Sequence, residues 1–179
     1  LVERILDAAA RIFDERGYRA ATTNHVAEAA GVSIGSLYQY FPNKDALLVG
    51  LAERHLDDAA PRLLETSRRL RLERPPPEAL CRALVQEVAD LNRSERLHRL
   101  LWTAPRIAEI DERLRALEQA VAADVAWHLE RYGHPSEAAP LRAQLLVEAV
   151  GALVHAEWWR PHHSDEAVRL VLPYVERAT

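Results

Sequence analysis

The residues whose types and spacing could do chemistry lie at 22–45, TTNHVAEAAGVSIGSLYQYFPNKD, and the chemistry they suit is recognition rather than bond making. A small residue, Ala27, is followed four positions later by Gly31 and six beyond that by Leu37. This is the spacing that a helix-turn-helix needs: Ala27 lets two helices cross closely, Gly31 makes the turn, and Leu37 holds the second helix against the first. The second helix of such a unit is the one laid in the major groove of DNA.

The elements that must position these residues can be traced from local signals. Thr22 or Thr23 supplies an oxygen that caps orphan amides, and Val26, Ala27 and Ala30 then share one helical face. Gly31, lacking a Cβ, can take the left-handed conformation that ends a helix. Ser33 caps the next helix, Leu37 and Phe41 share a face of it, and Pro42 stops it at Phe41. Upstream, the stripe Ile5, Ala9, Ile12, Phe13 ended by Gly17 predicts a first helix over 2–16. Downstream, Asn43 caps a fourth helix that Leu47, Leu48, Leu51, Leu56, Leu63 and Leu64 carry to about residue 70. Pro61 inside it predicts a kink or break near Ala59–Ala60.

Arg74-Pro75-Pro76-Pro77 is the clearest punctuation in the chain. Beyond it, apolar periodicity predicts helices over 77–93, around 95–103, and from Pro105 to the Gly133/Pro135 stop. A further helix is expected from Ser136 to Pro161 and a last one capped by Ser164. The expectation is an all-α protein of about nine helices: a three-helix head at 1–48 and a larger helical domain at 49–179.

Composition narrows the class. The 179 residues are 49% hydrophobic, ample for a packed core, yet no run is long and apolar enough to span a membrane. No signal peptide is visible, because charges interrupt every early apolar stretch. The single cysteine, Cys81, cannot form an internal disulfide and fits a reducing cytoplasm. The net charge is −4, and residues 1–48 carry five basic against six acidic side chains, so DNA attraction must come from a local edge. The lack of methionine, even at position 1, predicts a native start further upstream.

With these residues in view, the front of the chain is similar to the DNA-binding domain of the TetR family of bacterial transcriptional regulators. The carrying segments are ILDAAARIFDERGY and TTNHVAEAAGVSIGSLYQYFPNKDALL. The resemblance implies a homodimer, a palindromic double-stranded DNA operator, and release when a small-molecule effector enters the C-terminal domain. Thr23 matches a backbone-contacting threonine, with Asn24 and His25 beside it able to touch phosphate or a base edge. Ile34, Gly35 and Ser36 open the helix that reads bases. Gly35 permits close approach, and Ile34 can pack on a thymine methyl. Tyr38 and Tyr40 match a pair that reaches phosphates, and Lys44, the one lysine of the chain, matches a phosphate-holding lysine. Long bidentate readers are missing from 34–36, which favours readout by shape or from Asn24 and His25.

The C-terminal part offers two expectations. His98, Trp102, Trp127, His128 and His155 could line a cavity for an amphipathic or aromatic effector. Ala149, Ala152, Leu153 and Ala156, with Val168, Val171, Leu172 and Val175, could form the seam of a four-helix dimer interface. His162-His163 lacks partners at ligand spacing, so neither metal nor cofactor is expected. The reading is a regulator, a repressor, and not an enzyme, since no catalytic motif is present. The alternatives are a helical protein-interaction module without DNA binding and, behind it, a helical enzyme.

Overall fold

The computed structural model describes residues 1–91, 107–154, 156 and 160–176. Among these the chain is all-helical, with eight α-helices: α1 (Val2–Ala20), α2 (Thr23–Ala30), α3 (Ile34–Tyr38), α4 (Lys44–Glu73), α5 (Pro77–Leu91), α6 (Ala108–Arg131), α7 (Ala139–Val154) and α8 (Ser164–Val175). The short helix expected around 95–103 lies outside the described residues. The chain divides into two compact units. One is Leu1–Asp57 with the described part of Ser94–Glu112; the other is Asp58–Arg93 with the described part of Arg113–Thr179.

The first unit is a small helical head with its own core. Ile5, Leu6, Ala9 and Phe13 of α1 meet Val26 of α2, Leu37 of α3 and Leu47, Leu48 and Leu51 of α4. Gly17 interrupts α1 with φ 73° and ψ 153°, a region open essentially to glycine alone, where the sequence placed the helix stop. The Gly31 turn has φ 63° and ψ 42°, in the left-handed region. Its amide donates to the Glu28 carbonyl at 3.0 Å and the Val32 amide to that of Ala27 at 3.0 Å, so two orphan carbonyls of α2 are satisfied as the chain reverses.

In the second unit, α5 packs against both α7 and α8, which also pack on each other. Its core runs through Leu80, Leu84 and Val85 of α5, Val121, Val125 and Leu129 of α6, Leu146 and Val150 of α7, and Val168 and Val171 of α8. α4 is one continuous helix through Pro61, so the predicted break is absent; the proline lies on its exposed side. Ser136 does not cap its helix as expected, and Ser164 is the first residue of α8 rather than its cap. α7 begins at Ala139 after a turn in which the Ala138 and Ala139 amides donate to the Pro135 carbonyl, and α8 grows from the 3₁₀ turn Pro161–His163.

Candidate nucleic-acid interface

The reading face of the head is built from caps. The Thr22 hydroxyl accepts from the His25 amide at 3.2 Å and opens α2, so Thr22 is the cap and Thr23 the first helical residue. Ser33 opens α3 likewise, accepting from the Ser36 amide at 3.0 Å, and its hydroxyl also bonds that of Ser36 at 2.8 Å. Asn43 caps α4 by accepting from the Ala46 amide at 2.8 Å. Between these caps, α3 buries Leu37 fully and leaves Ile34, Gly35, Tyr38, Gln39 and Tyr40 exposed at and just beyond its end. The Tyr38 hydroxyl bonds Thr23 Oγ1 at 3.0 Å, tying the end of α3 to the start of α2 and placing two candidate phosphate ligands side by side.

Asn24 is exposed, as a groove contact requires, whereas His25 is half-buried with its Nδ1 enclosed and without a hydrogen-bond partner. Lys44 departs most from expectation. Its ammonium donates to the carbonyls of Tyr18 at 2.7 Å, Ala21 at 3.1 Å and Arg19 at 3.2 Å, and lies 4.5 Å from the centroid of the Tyr18 ring. A lysine has three N–H donors, and all three are used. Lys44 is therefore a clamp on the C-terminal carbonyls of α1, favoured there by the helix dipole, rather than a free cation. Beside it the Tyr18 hydroxyl donates to Asp45; burial first, then that carboxylate, pushes the phenol well above its usual range.

A profile of bacterial regulatory proteins of the tetR family matches residues 5–51. The front domain belongs to the TetR family. Over 54 residues this TetR domain is 44% identical to that of the HTH-type transcriptional repressor KstR2 of Rhodococcus jostii (strain RHA1), covering 30% of this chain and 26% of the relative. It is 42% identical over 55 residues to the HTH-type transcriptional activator FasR of Mycolicibacterium smegmatis, covering 31% and 25%. The chain thus aligns with about a quarter of the length of these curated relatives. Among solved structures, the fatty acid degradation regulator FadR of Bacillus halodurans superposes with a TM-score of 0.69 at 22% identity over 96% of this chain and 94% of that one. Mycobacterium smegmatis AmtR gives 0.63 at 25% over 100% and 87%. FadR of Bacillus subtilis, solved in complex with stearoyl-CoA, gives 0.62 at 18% over 96% and 98%. The TetR-type fold therefore extends beyond the matched domain.

Of the five residues expected around an effector, His98, Trp102 and His155 lie outside the described residues. Trp127 and His128 are adjacent on α6, Trp127 half-buried and His128 buried. The guanidinium carbons of Arg71 and Arg131 lie 5.0 and 4.9 Å from the centre of the Trp127 ring system, a cation–π arrangement. Arg71 also donates to Asp124 at 2.8 Å, and that carboxylate accepts from Ser67 at 2.7 Å. His128 is buried, edge-on to Trp127 and stacked with Tyr132, and its Nε2 has no hydrogen-bond partner. Burial lowers its pKa below the ordinary histidine range. Burial likewise pushes the Tyr132 phenol up to about 12; its hydroxyl donates to the Pro75 carbonyl at 2.5 Å.

The expected dimer seam needs correction on α8. Val168, Val171 and Val175 are 2%, 2% and 0% exposed and belong to the core of their own unit, with Leu172 packed against it. Leu153 also packs against that core, and Ala156 is half-buried, while Ala149 and Ala152 are exposed. The outward apolar residues are instead Leu141 (66%) and Leu145 (55%) on α7, in line with Ala149 and Ala152, and Leu170 (52%) and Tyr174 (62%) on α8. The sequence reading also missed Gly50. A Cβ there would stand 3.0 Å from both Leu6 Cδ2 and Phe41 Cε1, so glycine lets α4 pass close to α1 and to the end of the reading helix.

Proposed function

We propose that this chain is a DNA-binding transcriptional regulator that acts as a homodimer on a palindromic operator, represses there, and is released by a small molecule bound in the second unit. The observation that carries the reading is α3. It is a short helix anchored by fully buried Leu37, turned out by left-handed Gly31, and exposing Ile34, Gly35 and Tyr38 on its outer side. An α3 of five residues is about 7.5 Å long, which fits within a major groove about 12 Å wide. Phosphate contacts fall to Thr23, Tyr38 and Tyr40, with Asn24 beside them. Lys44 holds the head together.

The homodimer reading rests on the outward residues Leu141, Leu145, Ala149, Ala152, Leu170 and Tyr174, an apolar face on two helices that pack on each other. Two such pairs make an isologous four-helix seam and space the heads one DNA turn apart. The effector reading rests on His128, a buried imidazole with an unpaired nitrogen beside Trp127 and Tyr132. The role is regulatory rather than catalytic.

The test is selection from a randomised duplex library followed by binding across a salt series. A palindromic motif is expected, with affinity falling steeply between ~50 and ~200 mM salt. Stearoyl-CoA, seen in the Bacillus subtilis FadR structure, is a first compound to assay for release. Failure to enrich any duplex, even at the lowest salt, would favour the protein-interaction reading instead.

A further inference from the structure

We propose that Gln39 is the specificity-determining residue of the reading helix and that it recognises an adenine in each half-site. The inference rests on the DNA-binding reading above. It follows from asking what each outward side chain of α3 can offer a base edge.

Ile34 and Gly35 carry no side-chain hydrogen-bonding group. The Ser36 hydroxyl is engaged with Ser33 Oγ at 2.8 Å, and the Tyr38 hydroxyl with Thr23 Oγ1 at 3.0 Å. Tyr40 presents one hydroxyl. Gln39 is different in kind: its carboxamide offers a donor and an acceptor side by side, and the side chain is exposed. That pair matches the N6 donor and N7 acceptor that adenine shows in the major groove, whereas guanine shows two acceptors there.

Position supports the chemistry. The Gln39 backbone is still in the helical region, with φ −64° and ψ −27°, and its amide donates to the Gly35 carbonyl at 3.3 Å. Gln39 therefore stands one turn after Gly35 on the same face. At Gly35 an added Cβ would meet only Ser33 Oγ, at 3.9 Å, so the surface beside Gln39 is open backbone that a base edge can approach. Because α3 is a single turn and a half, its end enters the groove with its beginning.

The experiment is parallel selection from a randomised duplex library by the full chain and by Gln39→Ala and Gln39→Arg, followed by titration of the selected duplex and of its single-base variants. The wild type is expected to enrich an adenine at one position of each half-site. Gln39→Ala should lose that preference and no other, with discrimination at that base pair falling about 5- to 150-fold. Gln39→Arg should move the preference to guanine. An unchanged preference in both variants overturns the assignment while leaving the regulator reading intact, as does a loss of affinity equal for all duplexes, which marks a phosphate contact. No enriched motif for the wild type itself overturns the regulator reading, and the assignment with it.

Discussion

Lys44 and Tyr18 are joined twice: the Lys44 ammonium donates to the Tyr18 carbonyl at 2.7 Å and sits 4.5 Å from the centre of the Tyr18 ring. Everything that presents the reading face, residues 21–43, lies between these two partners in sequence. The contact closes that segment into a loop fixed at both ends.

If Lys44 is a clamp, removing it acts on the fold before it acts on DNA. Lys44→Gln loses three charge-assisted bonds at a partly exposed site, which should cost about 1–3 kcal/mol and lower the melting temperature by roughly 3–10 °C without DNA present. Operator affinity should fall, but the slope of log affinity against log salt should stay as in the wild type. Removing a phosphate ligand has the opposite signature: stability is kept, and the slope falls by ~0.9 for each phosphate no longer neutralised. A shallower slope at unchanged melting temperature would sink the clamp.

Gly35→Ala separates groove approach from stability. The added methyl meets only Ser33 Oγ at 3.9 Å, and alanine is favoured over glycine in a helix by up to about 1 kcal/mol. Melting temperature should hold or rise slightly. Operator affinity should fall, because the methyl lies where the base edge approaches. Unchanged affinity for the selected duplex would show that Gly35 is not at the groove surface.

What the sequence made legible follows from the range of each interaction. The Thr22, Ser33 and Asn43 caps act over three residues and Gly31 ends its own helix, so the whole frame of the reading head is written in contiguous signals. Lys44 reaches carbonyls 23 to 26 residues away, and nothing in its neighbourhood announces them. Gly50 is missed for the same reason: its need for a small residue comes from Leu6 and Phe41. On α8 the periodicity of Val168, Val171 and Val175 reports an apolar face but not what covers it. Their own core does. A period cannot tell an inward stripe from an interface, whereas exposure of Leu170 and Tyr174 can.

The dimer seam is tested at those outward positions. Leu145→Glu places a charge at an exposed site, so circular dichroism and melting of the subunit fold should change little, as for most surface substitutions. Sedimentation should show the chain shifting from dimer to monomer. Affinity for an operator with two half-sites should drop by about tenfold or more, since the second head is no longer delivered by the first. A dimer that persists in Leu145→Glu combined with Leu170→Glu would place the seam elsewhere.

His128 gives the second unit a pH dependence of predictable sign. Burial holds its pKa below the ordinary value, and although Asp124 opposes this, the nearby Arg131 and Arg71 reinforce it. The folded chain therefore keeps His128 neutral at a pH where the unfolded chain, with an ordinary histidine near 6.5, protonates it. Unfolding then takes up a proton, so stability is lost as pH falls below about 6.5, and the loss levels off below the folded pKa. Other histidines and the carboxylates titrate over neighbouring ranges, which makes the difference between two proteins the informative quantity. Denaturant unfolding of the wild type and of His128→Leu should be compared at pH 8, 7, 6 and 5. The leucine variant cannot take up this proton, so its stability relative to the wild type should improve steadily as the pH drops. Parallel curves over the whole range would mean that His128 titrates alike in the folded and unfolded chain, and that its enclosure is not what the buried, unpaired Nε2 indicates.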